Sequence, residues 1–218
     1  MTTLESIDAL RKIASGLDRL DIGCYRKHDR DPFLLVLGLG EPSARWCFFG
    51  RDPGEQEVLL QRPFVGESGQ KIWTVIRKVG LGENDVFWMN TVPFKPSGNK
   101  PWSMAVRRQC QQPLLELLSH WQGTDVVAFG EAAFRWFGIT SSTARSEINQ
   151  FWKRTDRYNS VLKIALELPG CGPRIVNLCA IPHPSGANAR WTKSFPHLLT
   201  ERLRYPSSTE SDRSMDAR

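Results

Sequence analysis

Apolar positions fall into two kinds of block along this chain. Between Thr3 and Leu20, Leu4, Ile7, Leu10, Ile13 and Leu17 recur at helical spacing, so the pattern predicts an amphipathic helix with Thr2 or Thr3 as its cap. Short continuous apolar runs at 46–49, 86–92, 125–129 and 175–181 are bounded by Gly, Asn or Pro and predict buried strands. Val161 to Leu168 alternates weakly and predicts an edge strand, and Phe33 to Leu37 is a short apolar run ending at Gly38. Helical periodicity covers Gly69 to Gly80, Ala105 to Trp121, Glu131 to Phe137 and Thr192 to Leu203; Pro113 marks a kink or a start in the second of these. Strands that alternate with helices imply an α/β fold: a three-layer α/β/α sandwich around a mostly parallel sheet of about four strands. No internal repeat or interior linker divides the chain, which predicts one domain over residues 1–205. The Ser-rich, charged segment 206–218 is expected to be a disordered tail.

Composition narrows the class. The 218 residues are 40% hydrophobic and 24% charged, ordinary for a soluble globular protein, and no apolar run is long enough to span a membrane. The first residues do not open a signal peptide. Five cysteines form no CxxC pair, and Cys47 and Cys179 sit inside apolar runs. A cytoplasmic protein without disulfides is the expectation. The net charge is +6; the tail contributes −1, leaving +7 on the body. A basic body attracts phosphates in a salt-dependent way, although a solvated basic surface has the same composition.

Two distant segments carry the candidate chemistry. Gly50-Arg51-Asp52-Pro53-Gly54, with Pro63-Phe64-Val65-Gly66, follows one strand, and His183-Pro184-Ser185-Gly186 follows another. Loops at the carboxyl ends of strands form the ligand crevice of open α/β sheets. A carboxylate, an aromatic face and an imidazole gathered there suit one flat, polar ring. Read singly, Asp52 is equally a turn residue and His183 a buried, hydrogen-bonded histidine; the ordered pair is more specific. Gly38-Leu39-Gly40-Glu41-Pro42 lacks the third glycine of a dinucleotide loop, and no Walker loop, HExxH helix or zinc-spaced Cys/His set is present.

Taken together, these segments resemble the uracil-DNA glycosylase superfamily, most closely its iron–sulfur branch, family four. GLGEPSARWCFFGRDPG followed by PFVGESG aligns with the first motif block of that branch without a gap. Met89 to Val92, with Phe94 to Pro101, resembles its strand and proline-rich loop; Val126 to Ala133 resembles the next strand and helix start; His183-Pro184-Ser185 resembles the second active-site motif. The chain also departs from the branch. Arg51 replaces a glutamate, while Asp52 stands where family one places its water-activating aspartate. Gly54 replaces the family-one tyrosine that excludes thymine. Cys24 and Cys110 fit two cluster positions, but Lys27 and Phe94 occupy the other two, so four thiolates are not available and no metal is expected.

The resemblance implies a monofunctional glycosylase that hydrolyses the N-glycosidic bond of uracil in DNA. Asp52 and His183 are then the catalytic pair. Phe64 stacks on the extruded base, Asn90 reads its Watson–Crick edge, and Gly50 and Glu57 complete the base-binding set. Lys95, Asn99 and Lys100 of the proline-rich loop, with Ser185, Gly186, Ala187, Asn188 and Arg190 after the histidine, are the expected DNA contacts; Arg190 or Trp191 is the candidate wedge. The expected partner is single- or double-stranded DNA containing uracil, bound by a monomer without cofactor or membrane. Excision of hypoxanthine or xanthine, and recognition of uracil or abasic DNA with little turnover, are the competing readings. The covalently trapping branch uses a histidine after the proline-rich segment, and none lies between His28 and His120.

Overall fold

A computed structural model describes residues 2–38, 40–185 and 189–204; the expected tail, 206–218, lies outside them. Five strands form one sheet: β1 (Trp46–Gly50), β2 (Val86–Asn90), β3 (Asp125–Phe129), β4 (Val161–Leu168) and β5 (Gly172–Ile181), in the order β2-β1-β3-β5-β4. The first four in that order are mutually parallel, and β4 pairs antiparallel with β5 as an edge. The expected core of about four strands is thus correct, with the weakly alternating segment added as a fifth. β5 starts at Gly172 rather than Ile175 because a three-residue turn, with Gly170 at φ +73°, closes a hairpin onto β4.

Alternation along the strands feeds two cores. Cys47, Phe49, Val126, Ala128, Leu178 and Ala180 pack on one face with α1 (Thr3–Ser15), α5 (Met104–Ser119), α6 (Glu131–Trp136) and α7 (Ser142–Trp152). Trp46, Phe48, Trp88, Val127, Phe129 and Ile181 pack on the other with α4 (Glu67–Lys78) and α9 (Phe195–Arg204). This is the three-layer arrangement the pattern implied. Two short helices, α2 (Ile22–Lys27) and α3 (Glu55–Leu60), and the single turn α8 (Ala189–Thr192) complete the described α-helices, and 3₁₀ turns cover Glu83–Asp85 and Ser97–Asn99.

Local chemistry sets the helix limits. Thr2 caps α1 with a reciprocal pair: its hydroxyl accepts from the Glu5 amide at 3.3 Å, and Glu5 accepts from the Thr2 amide at 2.6 Å. The helix stops at Gly16 instead of reaching Leu20, and Leu17 still packs on the core. In α5, Pro113 is accommodated inside the helix rather than ending it. Helix α7 went unpredicted although Ala144, Ile148 and Phe151 make a buried i, i+4, i+7 stripe behind a Ser141 cap.

The chain leaves β1 to build β2 on one side and then crosses to build β3 on the other. β1 is therefore flanked by strands made in opposite directions, the place where an open sheet leaves a crevice at its carboxyl end.

Candidate active site

That crevice holds an open cleft lined by Gly50, Arg51, Asp52, Glu57, Phe64, Ser68, Gly69, Ile72, Asn90, Phe129, His183 and Pro184. All six residues expected to be catalytic or base-binding line it. The sheet register explains why. Gly50 and Asn90 are direct partners at the ends of β1 and β2, Asp52 follows β1 by two residues, and His183 follows β5 by two.

Close approach dictates the glycine at position 50. A Cβ there would lie 2.3 Å from Asn90 Oδ1 and 2.7 Å from Phe64 Cζ, so only glycine lets the carboxamide and the ring share this corner. Phe64 adopts a left-handed backbone, φ +58°, a conformation that costs an aromatic residue about 1–3 kcal/mol. It is held in place from behind: a Cβ on Gly69 would meet the Phe64 carbonyl at 1.9 Å. Its ring packs against Trp88 and Phe129, with centroids 5.0 and 5.9 Å away. Asn90 is buried, yet no group among the described residues bonds its carboxamide.

Glu57 lies at the cleft but its oxygens are committed. One accepts from the Gly54 amide at 3.0 Å and the other from the Gly66 amide at 2.8 Å. It ties the Asp52 loop to the Phe64 loop and so positions the base-binding groups. Lys71 ties a third loop, donating to the Pro184 carbonyl at 3.2 Å.

The Asp52 side chain is only 1% exposed, and burial raises its carboxyl to about 6 despite the opposing Arg51 guanidinium. Arg51 Nε donates to Oδ2 at 2.7 Å, while Oδ1 has no partner among the described residues. His183 is pushed the other way: burial, then the charge of Arg51, lowers it to about 4. Its Nδ1 accepts from the Ser185 amide at 3.2 Å, which assigns the proton of the neutral ring to Nε2. A buried acceptor, a neutral imidazole donor, an unbonded carboxamide and an aromatic face thus converge on one cleft.

The expected DNA contacts divide. Asn99, Lys100 and Arg190 are exposed, and Ser185 is half-buried. Lys95 does not face outward as a DNA contact would: its side chain is 6% exposed and its ammonium sits 2.6 Å from Asp21 and 3.3 Å from the Pro96 carbonyl. It fastens the proline-rich loop to the start of α2. Trp191 packs edge-on against Tyr158, leaving Arg190 as the more accessible wedge candidate. Gly186, Ala187 and Asn188 lie outside the described residues.

The four positions that resemble cluster ligands do not fit a four-thiolate cluster. Lys27 donates to Glu55 at 2.7 Å, and Phe94 is wholly buried. Cys24, His28 and Glu55 do bring donor atoms within 4.8 Å of one another, but the same Glu55 oxygen already holds Lys27 and His28.

Sequence reasoning noted Arg51 only as a departure, and Arg107 not at all. Arg107, on α5, is buried, and its charge acts on both Asp52 and Arg51. An arginine inside an otherwise apolar helical stripe was the available signal.

Comparison with known proteins agrees with this geometry. The type-4 uracil-DNA glycosylase of Thermotoga maritima is 31% identical over 103 residues, covering 47% of this chain and 54% of that one. That of Pyrobaculum aerophilum is 26% identical over 124 residues, covering 57% and 60%. That of Saccharolobus solfataricus is 38% identical over 98 residues, covering 44% and 43%. The chain therefore spans about half the length of the curated relatives it matches. The family model for the uracil DNA glycosylase superfamily matches residues 37–205, which contain every cleft residue, and the chain belongs to that superfamily.

Proposed function

We propose that this protein hydrolyses the N-glycosidic bond of uracil in DNA and leaves an abasic site, the first step of base-excision repair. One observation carries the reading. Asn90 presents a buried carboxamide with no bond among the described residues, beside the Phe64 ring, in the cleft that also holds Asp52 and His183. An amide donates to O4 and accepts from N3–H, which fits uracil and mismatches cytosine at both atoms.

In this reading the uracil nucleotide is flipped out of the strand and its base stacks on Phe64. The N-glycosidic bond breaks with its electron pair leaving on the base, while positive charge spreads over the sugar C1′ and ring oxygen. His183 Nε2–H donates to O2 as negative charge grows there. Asp52, ionised, faces the sugar cation and orients the water whose oxygen bonds C1′; the released proton passes to Asp52 and then to solvent. Exposed Asn99, Lys100 and Arg190, with the basic body, are suited to the DNA backbone. The protein acts as a monomer in a reducing cytoplasm; its five cysteines are all free thiols, four of them buried.

The test is a gel assay on single- and double-stranded oligonucleotides carrying one uracil, hypoxanthine or xanthine, each followed by alkali. Alkali-dependent cleavage at uracil is expected. Cleavage only at hypoxanthine or xanthine would replace the substrate, and shifted but uncleaved uracil DNA would replace the activity.

A further inference from the structure

The cleft contains a cation that the reaction described above does not use. Arg51 lines it, is about one-third exposed at 32%, and is held by two bonds: Nε to Asp52 Oδ2 at 2.7 Å and Nη2 to the Asn99 carbonyl at 3.1 Å. Those bonds fix the plane of the guanidinium, and Nη1 has no partner among the described residues. Arg107, on α5, is buried with its Nε unbonded among the described residues. The charge of Arg107 acts on Asp52 and Arg51 alike, and Glu57, the other carboxylate of the cleft, is turned to the Gly54 and Gly66 amides, so Arg51 is the cation that lines the cleft itself. The field reaches His183, since Arg51 is one of the two causes that keep its ring neutral.

A neutral imidazole contributes a hydrogen bond to a departing base but no charge. We propose that Arg51 is the resident cation of the base pocket, stabilising the negative charge that builds on uracil as its N-glycosidic bond breaks. The proposal rests on the uracil-excision reading. It assigns the anion to a group that is charged at every working pH, and it explains why a carboxylate and an arginine share one loop. Asp52 serves the sugar cation and Arg51 the base anion, so the two opposite charges of the dissociating bond face two opposite charges of the protein. In an enclosed site such preorganised charge is worth far more than in water.

The experiment compares leaving groups. In DNA, 5-fluorouracil departs as a more stable anion than uracil and needs less help. Arg51→Gln is expected to slow single-turnover release of uracil by about 10²-fold and of 5-fluorouracil by at least about ten-fold less. Arg51→Lys keeps the charge and is expected to leave the ratio of the two rates near that of the wild type. Equal losses on both bases in Arg51→Gln would overturn the proposal and make Arg51 a positioning residue for Asp52 and the Asn99 loop. Should that variant not fold, the wild type supplies the measurement. Barbiturate, a pyrimidine anion at neutral pH, is expected to inhibit at least about ten-fold more tightly than free uracil; equal inhibition overturns the proposal. A wild type that releases no uracil would sink the functional reading itself, a result distinct from any of these.

Discussion

Asp52→Asn is expected to stabilise the protein while removing its activity. Burial raises the carboxyl from 3.8 to about 6 in the folded state. Between those values the folded protein keeps a proton that the unfolded chain has released. The stability linked to this group is present at low pH and is lost as pH rises through 6. Above that, the ionised carboxylate costs about 3 kcal/mol relative to its protonated form, from roughly two pK units at 1.36 kcal/mol each. Asparagine keeps the shape and the acceptor for Arg51 but never ionises. At pH 7.5 the variant should therefore be more stable by about 2–3 kcal/mol, and near pH 4 the two proteins should be about equal. His183 adds a second signature. Its folded value is depressed from 6.5 to about 4, so its linked stability is present above 6.5 and is lost as pH falls toward 4. In the wild type these opposite dependences nearly cancel over the same window. In the variant only the histidine remains, and stability should rise steadily from pH 4 to 6.5. Urea unfolding followed by tryptophan fluorescence at several pH values measures this, and excision at pH 7.5 should fall about 10²–10³-fold alongside. A variant less stable than the wild type at pH 7.5 would refute the reasoning, because the Arg51–Asp52 ion pair would then outweigh the cost of burial.

Other outcomes follow from the same geometry. Wild-type kcat/KM should climb with pH and level off above about 6 as Asp52 ionises; a profile flat from pH 4.5 to 8 would detach the rate from that carboxylate. His183→Ala should slow uracil release by about 10²–10³ with little change in abasic-DNA affinity, as single-turnover and binding assays can show. Gly50→Ala should abolish base recognition, because its methyl group would overlap the Asn90 oxygen; retained activity would mean that the corner is roomier than described. Lys95→Met should destabilise the fold by roughly 3 kcal/mol, by leaving the Asp21 carboxylate without its cation and only the Cys24 amide to bond. The folded Lys95→Met protein should keep its DNA affinity and its salt dependence, which filter binding at several ionic strengths would report.

Most of the sheet and most of the cleft could be read from the chain. Apolar runs such as Trp46 to Phe49 and Asp125 to Phe129 leave few alternatives to buried parallel strands, and the residues just after them then have to gather at one end. Asp52, Phe64 and His183 stood in segments that strand ends and glycines mark, and the family resemblance added Asn90; the structure brings all four to one cleft. What failed depended on distant partners. Lys95 looked like a phosphate ligand because a lysine in a Pro/Gly loop usually faces water. Nothing local reveals that Asp21, 74 residues earlier, closes on it. Glu57 does line the base pocket as its sequence position suggested, but only the folded loops show two amides consuming its oxygens. Helix α7 shows the reverse failure: its apolar stripe of Ala144, Ile148 and Phe151 was legible behind the Ser and Thr run at 140–143, and the sequence reading assigned no element there.

The double bond made by Glu57 has a consequence for how this pocket can change. Glutamine has the same shape, but one of its two terminal atoms is a donor, and here it would face an N–H. The position therefore admits no neutral copy. Because both oxygens are engaged, the loop that carries Asp52 and the loop that carries Phe64 behave as one rigid bracket. Widening the slot for a larger base by shifting the ring would drag the carboxylate with it. Selectivity and speed are mechanically linked through a single side chain, and new substrates are more accessible by altering the His183 side of the cleft than by altering the bracket.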